Sequence, residues 1–261
     1  MSLSFPNINP VAISLGPIHI HWYGIAYLVG TLSGFVLVKK DLKNKVFLTS
    51  DQQSDMLIYL CLGLVMGGRL GYIVFYQSAY YLHYPLEIFK IWEGGMSFHG
   101  ACLGIFISLF LFAKKNKKPY WALLDCVCLV APIGLFLGRI TNFINGELYG
   151  RVTTVAWGMV FPNAGSLPRH PSQLYEAGLE GLLLGIALYA LHHFCLSKKA
   201  SGTLACYFAG LYSLCRFFVE FFREPDSQLG LFIFNLSMGQ LLCIALGGLA
   251  VYTGLKLNQK S

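Results

Sequence analysis

Seven apolar stretches, each close to the length that crosses a bilayer, restrict what this chain can fold into. They run at roughly 20–38, 54–77, 96–113, 120–138, 171–196, 203–222 and 236–255. A hydrocarbon core ~30 Å thick takes about 20 helical residues per crossing. Within it every backbone N–H and C=O must be satisfied by the segment itself, which selects helices. In a chain of 261 residues these stretches leave short loops and no room for a separate soluble domain. The expectation is an all-α polytopic membrane protein of seven transmembrane helices, one integral membrane domain over 1–261. Composition agrees: 56% of residues are hydrophobic and 12% charged, against ~25% charged in soluble domains. That balance, with a mean hydropathy of +0.59, excludes a soluble enzyme, a disordered chain and a disulfide-stapled secreted domain. The first stretch lacks a basic leader and a small-residue cleavage site, so it reads as a retained helix.

The net charge of +7 matters less than where it sits. Lys39, Lys40, Lys43 and Lys45 follow the first stretch. Lys114, Lys115, Lys117 and Lys118 follow the third, Lys198 and Lys199 the fifth, and Lys256 and Lys260 the seventh. Twelve of thirteen lysines therefore fall on one side, which the positive-inside rule makes cytoplasmic. The N-terminus is then outside and the C-terminus cytoplasmic. Arginine behaves differently. Arg139, Arg151, Arg169 and Arg223 lie on the outer side, and Arg69 and Arg216 lie within spans. Arginine suits bidentate recognition of phosphate or carboxylate. The longest outer connection, 139–170, follows the fourth helix. The eight cysteines all sit in apolar stretches and form no CxxC pair, so they read as small hydrophobes rather than as a zinc site or disulfide framework.

Charges inside a bilayer cost at least ~2.5–3.5 kcal/mol each and mark function by default. In the sixth stretch Tyr212, Arg216, Glu220 and Arg223 recur at i, i+4, i+8 and i+11. At ~100° per residue they fall within about 80° of one another, a single stripe on one helix. A structural Arg216–Glu220 pair would need no further Tyr and Arg on that stripe. The fifth stretch opens with RHPSQLYEA; along it Gln173, Glu176 and Glu180 share a face, and Glu180 reads first as a partner for Arg216 or Arg69. The segment GRITNFINGELYGR, 138–151, holds two Asn, one Glu and two Arg, more than a helix exit requires. Gly146 and Gly150 there would let the backbone turn or approach a ligand closely. His99 lies near the outer end of an apolar helix, where position alone favours a structural histidine. His21, Trp22 and Tyr23 lie at the outer end of the first stretch. Together these groups describe an arginine-rich cavity open towards the outer leaflet, suited to an anionic lipid headgroup. No metal motif, phosphate loop or nucleophile elbow accompanies it, so neither metal nor cofactor is expected.

The segment GRITNFINGELYGR resembles the signature of the bacterial prolipoprotein diacylglyceryl transferases. The resemblance continues in order through HWYG at 21–24, GGRLGY at 67–72, WEGGMSFHG at 92–100, RHPSQLYEA at 169–177, RFFVEFFREPD at 216–226 and SMGQ at 237–240. Ala101 departs from it, standing where that family usually has Gly. The resemblance implies a multi-pass protein of the bacterial cytoplasmic (inner) membrane, with its active site towards the periplasmic leaflet and a small periplasmic connection carrying the signature. It implies two partners, phosphatidylglycerol and a prolipoprotein signal peptide with a lipobox cysteine, and no nucleic acid. The implied reaction moves the diacylglyceryl group onto that cysteine, forming a thioether and releasing glycerol phosphate. The residues it carries over are Tyr23, His99, Arg139 and Arg216 for the chemistry, with Arg139, Asn142, Glu147, Gly150, Tyr212 and Glu220 for the substrate.

Elementary chemistry fits that reaction. A thiol of pKa ~8.5 is mostly protonated at neutral pH, and a histidine of pKa ~6.5 is a natural base for it. Charge building on the departing phosphate suits Arg139 and Arg216. Asn142 and Tyr23 would orient headgroup oxygens, and Glu147 and Glu220 would hold the arginines. The alternative is an anion or lipid-headgroup transporter. It predicts polar residues running on to the cytoplasmic side, and the inner halves of the spans hold almost none. A metal-using headgroup transferase needs an Asp-rich helix, whereas no span holds more than one Asp, Asp125 among them. A membrane acyltransferase with His and Asp four residues apart fails because no His has Asp at that spacing.

Overall fold

The computed structural model describes residues 3–6, 8–16, 18–91, 94–195, 200–224 and 236–259. Lys198, Lys199 and Lys260 of the cytoplasmic set lie outside the described residues, as do Trp92, Glu93, Pro225 and Asp226 of the quoted motifs. Helices dominate. Six are long and apolar enough to cross a membrane: α1 (Trp22–Asn44), α2 (Ser50–Tyr76), α4 (Phe98–Asn116), α5 (Tyr120–Ile144), α6 (Ser172–Cys195) and α8 (Met238–Asn258). A six-residue helix, α3 (Ser78–His83), follows α2. The remaining expected span forms α7 (Thr203–Val219), an apolar helix of 17 residues. All seven apolar stretches are thus helical, six at spanning length. The chain divides into two compact units, Lys39–Cys126 and the remainder.

In the Lys39–Cys126 unit, α2 and α4 pack antiparallel along a seam of small residues. Gly63 faces Gly104 and Ser108, Gly67 faces Gly100 and Gly104, and Gly71 faces Gly100. A Cβ on Gly104 would lie 1.9 Å from the Gly63 carbonyl oxygen, and one on Gly67 2.4 Å from that of Gly100. Small residues let helices touch where lipid offers no hydrophobic drive. Both helices start on side-chain caps. Thr49 and Gln52 form a capping box on α2. The Ser97 hydroxyl accepts from the Gly100 N–H at 3.2 Å on α4.

The larger unit opens with a hairpin of β2 (Val11–Leu15) and β3 (Ile18–His21) that feeds α1. A two-residue strand β1 (Leu3–Ser4) pairs in parallel with β4 (Met159–Val160) in the connection after α5. Phe5 packs there on Phe143 and Phe161, with ring centroids 5.3 and 5.1 Å apart. Gly181 of α6 sits so close to α5 that a Cβ would lie 2.5 Å from that of Phe136. That approach places the carboxylates of α6 beside Arg139, which lies about one turn further along α5 than Phe136. The helix α6 includes a π-type stretch, Ala177–Leu183, of the wider i→i+5 kind often found at functional sites. α7 and α8 also pack closely, Ser213 against Gly247 and Cys206 against Gly254.

Two expectations about helix ends change. The helix α5 runs through Arg139 and Asn142 to Ile144, so the connection proper begins at residue 145. The sixth helix stops at Val219, and Arg223 leaves the helix to form a β-bridge with Gly150.

Candidate active site

Three arginines from separate segments meet one carboxylate. Glu176, on the first turn of α6, is wholly buried. Its Oε2 lies 2.7 Å from Arg139 Nε of α5 and 2.9 Å from Arg216 Nη1 of α7, and its Oε1 lies 2.6 Å from Arg223 Nη1. Glu180, one turn on and also wholly buried, adds Arg216 Nη1 at 3.4 Å and Arg139 Nη2 at 3.8 Å. Glu220 caps α7 and reaches Arg216 Nη2 at 3.1 Å and Arg223 Nε at 3.4 Å. Three guanidinium groups face three carboxylates, which is how buried charge is tolerated. The arginine side chains keep 15–17% of their surface exposed while Glu176 and Glu180 keep none. The cations form the accessible face of the cluster and the anions its floor.

Beside it lies a second polar group. Tyr23 of α1 donates its hydroxyl to Glu147 Oε1. The Asn142 amide donates to the Tyr23 oxygen and, at 3.0 Å, to Glu147 Oε1. Gln173 holds the Glu147 carbonyl at 2.5 Å. Asn142 is one turn from Arg139 on α5, and Gln173 one turn from Glu176 on α6, so the same two helices carry both groups. Gly146, at φ +66, reverses the chain and returns Glu147 over the helix end, its N–H on the Asn142 carbonyl at 3.1 Å. For that reason Glu147 meets Tyr23 and Asn142 and not an arginine, contrary to expectation. Glu220 does hold Arg216.

Gly150 has a different neighbourhood from the one a ligand would provide. A Cβ there would lie 2.3 Å from the Phe222 carbonyl oxygen. Its N–H bonds the His170 carbonyl at 2.9 Å, and Arg151 bonds the Phe222 carbonyl at 2.9 Å. Gly150 thus ties the entry of α6 to the exit of α7, which fixes Glu176 against Arg223. His170, outside the helices, meets the Tyr175 hydroxyl at 3.1 Å, and burial pushes its imidazole below the usual histidine range. Tyr212 lies one turn before Arg216 on α7, stacked on Phe208 at 5.9 Å.

His99 belongs to the Lys39–Cys126 unit. It stands exposed in the first turn of α4, edge-on to Phe98 at 5.8 Å. Arg69 in the same unit takes no carboxylate among the described residues. It donates to the carbonyls of Glu87, Ile88, Gly94 and Gly95 at 2.6, 2.9, 2.6 and 3.3 Å. Glu180 therefore pairs with Arg216 and Arg139. Sequence reasoning singled out Glu176 and Arg223 without making them central, and did not single out Ser237. The capping spacing Ser237-x-x-Gln240 was the available signal. No group of three or more His, Cys, Asp or Glu able to hold a metal occurs among the described residues.

The sequence pattern of the prolipoprotein diacylglyceryl transferases matches residues 10–254. A phosphatidylglycerol–prolipoprotein diacylglyceryl transferase of Nitratidesulfovibrio vulgaris (strain DP4) is 50% identical over 246 residues, 94% of this chain and 92% of that one. Its counterpart in Legionella pneumophila (strain Lens) is 47% identical over 244 residues, 93% of this chain and 94% of that one. A third, from Allorhizobium ampelinum, is 47% identical over 258 residues, 96% and 90% of the two chains. The match runs through the arginine cluster, the Tyr23 group and the α2–α4 seam alike, and this chain belongs to the prolipoprotein diacylglyceryl transferase family.

Proposed function

We propose that this membrane protein transfers the diacylglyceryl group of phosphatidylglycerol to the lipobox cysteine of prolipoproteins. Family membership across nearly the whole chain supports the reaction. Among the site's features, one observation carries it: Arg139, Arg216 and Arg223 converge on Glu176 with their side chains still partly exposed. A cluster so built accepts a phosphate without importing unpaired positive charge. In this reading the cysteine thiol gives its proton to His99. The sulfur bonds to the glyceryl carbon as the bond from that carbon to the phosphate oxygen breaks. The electron pair leaves with glycerol phosphate, where Arg139 and Arg216 meet the growing charge. Tyr23 and Asn142, held by Glu147, orient the headgroup, and Tyr212 and Glu220 line the arginines' side. Gly150 keeps the two walls together. The nucleophile comes from the substrate, so none of the chain's own cysteines takes part.

The same reading carries the seven-span topology with the N-terminus outside and the C-terminus cytoplasmic. It includes α7 as the shortest crossing, residence in the bacterial inner membrane, and a site facing the periplasmic leaflet. The test is to incubate purified protein with phosphatidylglycerol and a lipobox peptide and to weigh the peptide by mass spectrometry. A peptide heavier by one diacylglyceryl group is the expected result, and an unmodified peptide under conditions where the lipid binds would favour a headgroup transporter. With oxygen-18 bridging phosphorus and the diacylglyceryl carbon, the label should leave with glycerol phosphate. Label kept on the peptide would overturn the bond assignment.

A further inference from the structure

Ser237 precedes α8 with extended backbone (φ −74, ψ 160) and caps it. Its hydroxyl oxygen accepts from the Gln240 N–H at 3.2 Å, while Gln240 Oε1 accepts from the Ser237 N–H at 3.0 Å. That capping box is complete on its own and uses the hydroxyl only as acceptor. A serine hydroxyl has one hydrogen besides. That hydrogen goes to Glu220 Oε1 at 3.0 Å, 17 residues away in sequence. The other oxygen of Glu220 takes Arg216 and Arg223. The carboxylate is therefore stretched between a neutral donor and two cations.

Gly239 closes the third side. A Cβ there would lie 2.8 Å from Glu220 Oε1 and 2.9 Å from its Cδ. The carboxylate thus rests against the first turn of α8, where free N–H groups and the helix dipole favour negative charge. Ser237 is 5% exposed and Glu220 8%, so water does not readily replace a lost donor.

We infer that Ser237 is a positioning residue for the reaction: by holding Glu220 from the side opposite the arginines, it sets the reach of Arg216 and Arg223. This rests on the transferase reading above. It separates cleanly from a simple capping role, because Ser, Asn and Asp cap helices about equally and Thr nearly so. A cap alone predicts that Ser237→Asp is harmless. The positioning role predicts the reverse, since aspartate keeps the cap but turns a second carboxylate on Glu220 and offers no hydrogen. Ser237→Thr keeps both functions.

The experiment measures kcat and KM for phosphatidylglycerol, with helix content and thermal unfolding in detergent, for Ser237→Asp, Ser237→Thr and Gly239→Ala. The expected result is about a tenfold or larger loss of kcat/KM for Ser237→Asp at unchanged helix content, the scale of one hydrogen bond to a charged group. Ser237→Thr should stay near the parent and Gly239→Ala should resemble Ser237→Asp. Parent-like kcat/KM in Ser237→Asp overturns the inference. A double-mutant cycle on thermal stability with Ser237→Ala and Glu220→Gln tests the contact without any activity. Non-additivity supports it, and additive effects overturn it even if transfer is lost. Absence of transfer in the unmutated protein would instead overturn the transferase reading.

Discussion

Arg216 of α7 and Glu176 of α6 are 40 residues apart in sequence and bonded at 2.9 Å. That carboxylate is the one group through which all three arginines of the cluster are held. The distribution of the cluster follows from it. Remove any arginine and two cations remain on the same floor, but remove Glu176 and three cations lose their shared partner.

Glu176→Gln should therefore be the most disruptive single change in the cluster. Breaking a buried pair costs on the order of 3–5 kcal/mol because the surviving charge stays buried. Thermal unfolding in detergent should show a marked drop in midpoint together with lost transfer. A variant with parent stability would show that the arginines are held elsewhere.

Arg139→Lys and Arg216→Lys keep the charge and lose the planar fork. Arg139 uses Nε and Nη2 on two different carboxylates, and Arg216 uses Nη1 and Nη2 on three. A lysine ammonium is a point charge and cannot reproduce that spread. Transfer should fall about 10²-fold or more, the scale of a lost donor to developing charge. Near-parent rates in both variants would show that charge alone suffices.

Tyr23→Phe removes the hydroxyl that bridges Asn142 and Glu147. Tyr23 lies near the start of α1 and is only partly buried, so folding should be little affected. Activity should drop while thermal stability falls by no more than about 3 kcal/mol, the upper range for one hydrogen bond to a charged group. Equal activity in Tyr23→Phe would remove the Tyr23 group from the site.

His99→Gln should leave insertion and stability unchanged, since His99 is exposed, edge-on to Phe98. As general base it should account for about 10²–10⁴ of the rate. The deficit should shrink at higher pH, where more of the substrate thiol is ionised without help. A deficit independent of pH would assign the proton to another group.

Arg69→Lys should loosen the segment before α4. Four carbonyls from residues 87–95 converge on this guanidinium, and a Cβ on Gly95 would lie 2.9 Å from Arg69 Nη1. Amide hydrogen exchange at residues 87–91, 94 and 95 should quicken in Arg69→Lys and in Gly95→Ala. Unchanged exchange in both would show that the segment holds itself.

The helices were legible in the sequence because hydropathy alone dictates them in lipid. All seven apolar stretches are helical, and the errors lie at their polar ends. The helix α1 continues into the lysines, and α5 continues through Asn142 because polar residues there find partners in Tyr23 and Glu147. The stripe of Tyr212, Arg216 and Glu220 was readable from the 3.6-residue period. Arg223, expected on the same stripe, reaches the same carboxylates from beyond the helix end, where it bridges to Gly150. Arg69 misled for a different reason. A charge solvated by backbone carbonyls leaves no complementary residue to find in the sequence. Ser237 was hidden by its second role, since a capping serine looks complete without Glu220.

The order in which the chain is made gives the α6 carboxylates a further consequence. Arg139 is synthesised before Glu176, and Glu176 before Arg216, so each successive charge emerges after its counter-ion or ahead of it by one whole helix. The 17-residue α7, carrying Arg216, is the segment least able to enter a bilayer by itself. On the proposed seven-span topology, Glu176 and Glu180 of α6 precede Arg216 into the bilayer and lower the cost of its burial, so insertion of α7 draws on its neighbour.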